Sequence, residues 1–124
     1  MKKYILITIT LLLISGRAAA LSPDDASKGV SNLNFCKLLF QDFDISAGKH
    51  KNIGVFVYDA DKKKVEEKFK YFIEHIKQEF GKEDVNKIMI HGTVDSAMKF
   101  YSEADSYTQA EVERFATNCR KILY

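Results

Sequence analysis

Two cysteines, Cys36 and Cys119, are the only ones in this 124-residue chain, and each falls on the apolar stripe of a helical pattern. Leu33, Cys36, Leu39, Phe40 and Phe43 recur at helical spacing near the start. Val112, Phe115, Ala116, Cys119, Ile122 and Leu123 form one stripe at the end. Both thiols therefore face a core, and they meet if the first and last helices pack together. In an oxidising compartment such an even pair is usually a disulfide. The loop it would close stabilises a fold by roughly 4–5 kcal/mol in the chain-entropy account. That is comparable to the whole net stability of a small domain. Two free buried thiols are the alternative. A redox centre is disfavoured, because a dithiol oxidant carries its cysteines two apart at a helix start.

The N-terminus bears on the compartment. Lys2 and Lys3 precede an apolar run from Tyr4 to Ile14, and Ser15-Gly16-Arg17 leads into Ala18-Ala19-Ala20. This three-part layout reads as a secretory signal peptide over residues 1–20, cleaved after about Ala20. The run is about half the length that spans a bilayer. The expectation is a bacterial protein, periplasmic or secreted, with residues 21–124 as a single helical domain and no membrane insertion after cleavage. Lys2, Lys3 and Arg17 leave with the signal, so 16 basic residues face 17 acidic ones. A near-neutral chain has no electrostatic footprint for nucleic acid and no polybasic membrane patch.

Ser22-Pro23-Asp24-Asp25 reads as a helix start: a hydroxyl cap, proline at the first position, then acids. Gly29 interrupts it, so the stable helix is expected from about Val30, ending near Ile45–Gly48 with Gly48 as a left-handed cap. Ile53, Val55 and Val57 alternate, and their β-branching favours a strand over 53–58. Lys62 to Phe80 is helical, with Val65, Phe69, Phe72, Ile76 and Phe80 inward. Asp59 or Asp61 caps its start, Gly81 ends it, and Lys63/Glu67, Glu66/Lys70 and Lys70/Glu74 pair on its solvated face. Between Val85 and Tyr101 two apolar sets lie on nearly opposite faces, so a kink or join is expected near His91-Gly92-Thr93. Thr108-Gln109-Ala110-Glu111 fits a capping box opening the last helix. The fold is therefore mainly α, a bundle of four to five helices stapled by the disulfide. The alternative is α+β, with short strands at 53–58 and 87–91.

Chemistry-bearing motifs are sparse. His75 and Glu79, four apart on one helix, are a two-ligand geometry without a third ligand at a telling spacing. His50 and His91 fall in loops or joins without partners. There is no Gly-x-Ser-x-Gly elbow, and the six glycines are dispersed rather than gathered into a phosphate-binding loop. No metal site, cofactor or catalytic set is expected. Lys62-Lys63-Lys64 oppose the helix dipole at a helix start. They read either as a solvated face or as a patch for an acidic partner. Tyr58, Tyr71, Tyr101 and Tyr107 do not all fit one interior, and tyrosine suits interfaces.

The segment Ile90-His91-Gly92-Thr93-Val94-Asp95-Ser96-Ala97 is similar to a Gly-x-x-Asp-containing helical segment of one family. With the export signal, helical body and distant cysteine pair, the chain resembles the periplasmic immunity proteins that neutralise type VI secretion amidase effectors, the Tai and Rap group. The resemblance implies a helical fold, helix rather than strand at Ile88 to Ile90, and plugging of a hydrolase active site. No Cys-x-Gly-Tyr precedes the segment here, and no inhibitory residue is carried over. The expected function is a non-enzymatic exported binding protein, an inhibitor or immunity factor for a protein partner such as a cell-wall hydrolase. The alternative is an envelope-stress chaperone or small-ligand carrier. Candidate partner-binding residues are Tyr58, Lys62, Lys63, Lys64, Tyr71, His75 and Tyr107, and a homodimer is open.

Overall fold

The computed structural model describes residues 21–124; the expected signal peptide lies outside them. Helix α1 spans Pro23–Asp42, α2 Asp59–Glu79 and α3 Lys82–Ile90. A π-helical turn, His91–Asp95, carries α3 directly into α4, Ser96–Glu103. A 3₁₀ turn, Ala104–Ser106, leads to α5, Gln109–Leu123. These form four helical rods, because α3, the π turn and α4 run on as one. The architecture is mainly α, as the periodicity indicates, and the mixed alternative is not favoured. No described helix is long and apolar enough to cross a membrane.

Helix α1 starts as its sequence dictates. Ser22 Oγ accepts the Asp25 N–H at 3.1 Å, and Pro23 occupies the first turn, where no intrahelical N–H is needed. Gly29 does not interrupt the helix. Its missing side chain lets the Phe72 ring of α2 close in: a Cβ there would sit 2.6 Å from Phe72 Cζ. The glycine is thus a packing residue, which corrects the expected start at Val30. The helix also ends earlier than expected, at Asp42, with Phe43 N–H bonding Leu39 O. Gly48 has a left-handed φ of 65° but lies in the following loop and caps nothing.

The segment 53–58 is extended without being part of a sheet. Ile53, Val55 and Val57 turn inward while Phe56 and Tyr58 point out, so the alternation holds. A single parallel bridge joins Asp44 and Val55. Elsewhere a side chain stands in for a neighbouring strand: the Gln109 amide accepts Gly54 N–H at 2.9 Å and donates to Gly54 O at 2.8 Å. This satisfies backbone groups that a lone strand would leave open. Residues 87–91 are helical. Gly81 is extended at φ −69° and opens α3, while Phe80 terminates α2. Among the described residues none of the three expected charge pairs on α2 closes to ion-pair distance; Lys62 bonds Asp44 and His75 faces Glu79 instead.

The join expected near His91 is the π turn. Ile88, Gly92, Ser96 and Phe100, four apart throughout, are all buried. Steps of four outrun an α-helix of 3.6 residues per turn, and a π turn absorbs the excess. Gly92 rests on Val30, where a Cβ would lie 2.5 Å from Val30 Cβ. The buried Asn34 amide donates to Thr93 O at 3.1 Å and Ser96 Oγ at 2.7 Å, and Thr93 Oγ1 bonds Met89 O at 2.6 Å. Side chains thereby occupy carbonyls around the widened turn. Of the second apolar set, Val94, Ala97, Met98 and Tyr101, only Ala97 packs partly against the core, and the other three face outward.

Cys36 and Cys119 form a disulfide with Cα atoms 5.7 Å apart, tying α1 to α5. Replacing both with alanine is expected to lower stability by up to about 5 kcal/mol, read from urea midpoints. Gly92→Ala is expected to cost about 1–3 kcal/mol by overpacking against Val30; a midpoint equal to or above that of the parent would contradict that contact.

Candidate functional site

Two surfaces stand out. The first surrounds the start of α2 and the end of α5. Asp61, only 2% exposed, is the anchor beneath it. Its Oδ2 accepts Tyr58 N–H at 3.1 Å and Arg120 Nη2 at 3.0 Å, and its Oδ1 accepts the Tyr124 hydroxyl at 2.9 Å. Arg120 also donates to Phe56 O. One buried carboxylate thus joins the extended segment, α2 and the C-terminus. Burial acts to raise its pKa, but the bonds from Arg120, Tyr58 N–H and Tyr124 outweigh it and hold the carboxyl below its ordinary value. The bond to Asp61 in turn raises Tyr124.

Above this anchor three aromatic rings are exposed: Phe56 at 72%, Tyr58 at 64% and Tyr124 at 68%. Phe56 and Tyr58 lie nearly parallel, 6.4 Å between centroids. Cations interleave with them. The Arg120 guanidinium sits 5.9 Å from the Tyr58 ring, and Lys64 Nζ 6.0 Å from the Tyr124 ring. Lys62 reaches Asp44 at 3.0 Å, and Lys63 is exposed on the same turn. Asp44 is held low by the Ser46 hydroxyl, against burial, with help from Lys62. Asp59 and Asp61 in the first turn offset the unfavourable dipole position of the lysines.

Of the sequence candidates, Tyr58 and Lys64 join this face, whereas Lys62 turns to Asp44 and Lys63 lies exposed between the two on the same turn. Tyr71 is exposed farther along α2, and His75 lies 3.6 Å from Glu79, so neither joins it. Tyr107 belongs to the second surface. Phe56, Arg120 and Tyr124 were not anticipated. Outward alternation at Phe56 was a usable signal, but nothing local marks an Asp61–Arg120 pairing 59 residues apart. His50 and His91 do have partners. His50 stacks on Phe43 at 4.1 Å between Asp42 and Asp105, and His91 meets Asp95 at 3.2 Å. Among the described residues no three His, Cys, Asp or Glu side chains gather as metal ligands.

The second surface is an open groove of about 700 Å³. Helices α4 and α5 both rest on α1 without packing on each other, and the gap between them is the groove. Its aromatic wall is built edge-to-face: Phe35 lies 5.8 Å from Phe100 and 5.4 Å from Phe115, and Tyr107 lies 5.1 Å from Phe115. Burial raises the Tyr107 phenol, and the negative charges of Glu103 and Glu111 raise it further. Glu111 itself closes the capping box with Thr108 N–H at 2.9 Å. Lys28 and Lys99 also line the groove, and the disulfide forms part of its wall.

The chain matches no family model, and no curated protein or solved structure is significantly similar to it.

Because Asp61 and Asp44 titrate lower in the folded than in the unfolded chain, their contribution is fully present above the ordinary carboxylate pKa of about 4. It is lost as pH falls through their depressed folded values. Urea midpoints are expected to drop steeply below about pH 4. Asp61→Asn is expected to be less stable at neutral pH by about 2 kcal/mol and to show a shallower acid loss. An unchanged slope would show that Asp61 is not a principal source of the acid sensitivity.

Proposed function

We infer that the mature chain is a small exported binding protein that acts by docking on another protein. The observation that carries this reading is the face of Phe56, Tyr58 and Tyr124 interleaved with Arg120 and Lys64. Aromatic residues and arginine are the groups that concentrate binding energy at interfaces. Here their ordering is largely done before contact: Tyr124 is bonded to Asp61, and Arg120 is fixed by Asp61 and Phe56 O. Less side-chain entropy remains to be lost on association. The lysines and arginine select a partner with an acidic surface and raise the rate of encounter with it.

The disulfide fits an oxidising compartment. Together with the secretory layout of residues 1–20, it supports action in the periplasm or outside the cell. The resemblance to the Tai and Rap immunity group supports a definite form of this role, the blocking of a cell-wall hydrolase by occlusion of its active site.

Affinity capture with the exported protein, from envelope extracts of the producing bacterium and its competitors, is expected to recover one defined partner. Phe56→Ala/Tyr58→Ala removes only exposed rings and is expected to weaken that complex about thirtyfold or more, the effect of one strong hot spot. Lys63→Glu/Lys64→Glu is expected to slow association and reduce its salt dependence. A partner held equally well by both variants, or nothing beyond an unrelated exported control, would reject this face.

A further inference from the structure

The rod formed by α3, the π turn and α4 buries Ile88, Gly92, Ser96 and Phe100 on its inner side. Ile90, Val94, Met98 and Tyr101, on the opposite side, are 48–67% exposed. They recur at steps of four, four and three, so they form one continuous stripe about 16 Å long. Single apolar residues on a surface are ordinary, whereas a contiguous stripe marks a contact. The stripe is ordered in advance. Asn34 and Val30 pin the π turn, and the Tyr101 ring meets Phe100 edge-to-face with 5.3 Å between centroids.

We propose that this stripe joins two copies of the chain in an antiparallel, two-fold dimer through α3 and α4. The stripe is its own complement. Its midpoint falls at Ser96, with Val94 two residues before and Met98 two after. Ile90 stands six before and Tyr101 five after, and beyond them Lys87 stands nine before and Asp105 nine after. Laid antiparallel on a second copy about that midpoint, Val94 meets Met98, Ile90 meets Tyr101 and Lys87 reaches Asp105. Each contact occurs twice, as an isologous interface requires. A parallel pairing would set Lys87 against Lys87 and Asp105 against Asp105. The partners these two charges have within the chain are weak: Lys87 lies 3.9 Å from Glu83 and Asp105 lies 3.9 Å from His50, and Lys87, Glu83 and Asp105 are all exposed. Charges of both signs flank the stripe, Lys87 and Lys99 with Glu83, Asp95 and Asp105, so neither an acidic nor a basic partner is selected over a second copy. Four side chains from each copy place the contact at the small end of specific interfaces, so the dimer is a weak one. No residue of the docking face lies on these helices, and the proposal does not rest on that face.

Sedimentation equilibrium of the exported, disulfide-bonded protein is expected to show a monomer–dimer equilibrium with a Kd on the order of 10–100 µM. Met98→Glu sets a carboxylate against Val94 of the second copy, and Val94→Glu sets one against Met98. Each is expected to weaken the dimer about tenfold or more while keeping the helical circular dichroism of the parent; the second serves if the first does not fold. Lys87→Glu and Asp105→Lys are each expected to weaken it about threefold or more, because like charges then meet twice. Combined, Lys87→Glu/Asp105→Lys is expected to restore it, a coupling that general stickiness of the stripe does not produce. Phe56→Ala/Tyr58→Ala is expected to dimerise as the parent does. A protein monomeric up to about 500 µM, dimerisation undiminished in both folded glutamate variants, a double charge variant no tighter than either single one, or loss of the dimer in Phe56→Ala/Tyr58→Ala would overturn the proposal. So would binding to phosphatidylglycerol vesicles by a protein that stays monomeric, which would give the stripe to a lipid surface.

Discussion

Helix α1 carries contacts on three sides at once, and the arrangement of the other helices follows from how its surface is divided. Gly29 gives one side to Phe72 of α2. Val30 and Asn34 give another to the π turn through Gly92, Thr93 and Ser96. Cys36 gives the third to α5. Two of these contacts use a glycine, because only a missing Cβ lets a ring or a second backbone approach so closely. Once α1 is shared in this way, α4 and α5 are held on it without reaching each other, and the groove is what remains between them. The groove is thus a consequence of the packing around α1.

The buried Asp61–Arg120 pair acts differently. Removing a carboxylate from water costs several kcal/mol, and pairing recovers that only when every remaining oxygen bond is made. Here both oxygens are engaged, by Arg120, Tyr124 and the Tyr58 N–H. The pair is best understood as fixing register. It sets where the extended segment meets α2 and where α5 ends, and so it sets which rings stay outside. Phe56 and Tyr58 are exposed because Arg120 holds the Phe56 carbonyl and Asp61 the Tyr58 N–H from beneath. Apolar rings left in water on a structure this well bonded are a functional signal.

Most of the skeleton was legible in short stretches of sequence. The Thr108–Glu111 box and the steps of four and three from Val65 to Ile76 each specify local structure and appear as read, and the Ser22-Pro23 signal, discounted because of Gly29, is where the first helix in fact begins. The cysteine pairing was legible because two independent stripes faced inward. The phase conflict around Gly92 marked the join, although its form, a π turn, depends on the step-four contacts with α1. What sequence did not show is where a residue's meaning is set by a distant partner. Gly29 reads as a helix breaker until Phe72 is seen against it. Ile53–Val57 reads as a strand until the Gln109 amide is found in the place of a neighbour. The candidate surfaces suffer most from this. Tyr58 and the lysines could be named singly, but their grouping with Phe56, Arg120 and Tyr124 needs contacts about sixty residues apart.

Helix α5 belongs to both surfaces, on different sides. Arg120 and Tyr124 serve the aromatic face, while Phe115, Cys119 and Ile122 serve the groove. Its packing is one-sided: it rests on α1 and α2, with the open groove where α4 would otherwise support it. A helix of fifteen residues is marginal alone in water, so its position depends on tertiary contacts. Cys119 supplies the covalent one, in the middle of the stripe that divides the two surfaces. The disulfide therefore fixes more than overall stability. It sets the depth at which α5 sits on α1, and through that depth both the width of the groove and the height at which Arg120 meets the rings above Asp61. The two surfaces are separable in chemistry but share one mechanical support, and that support exists only where thiols are oxidised.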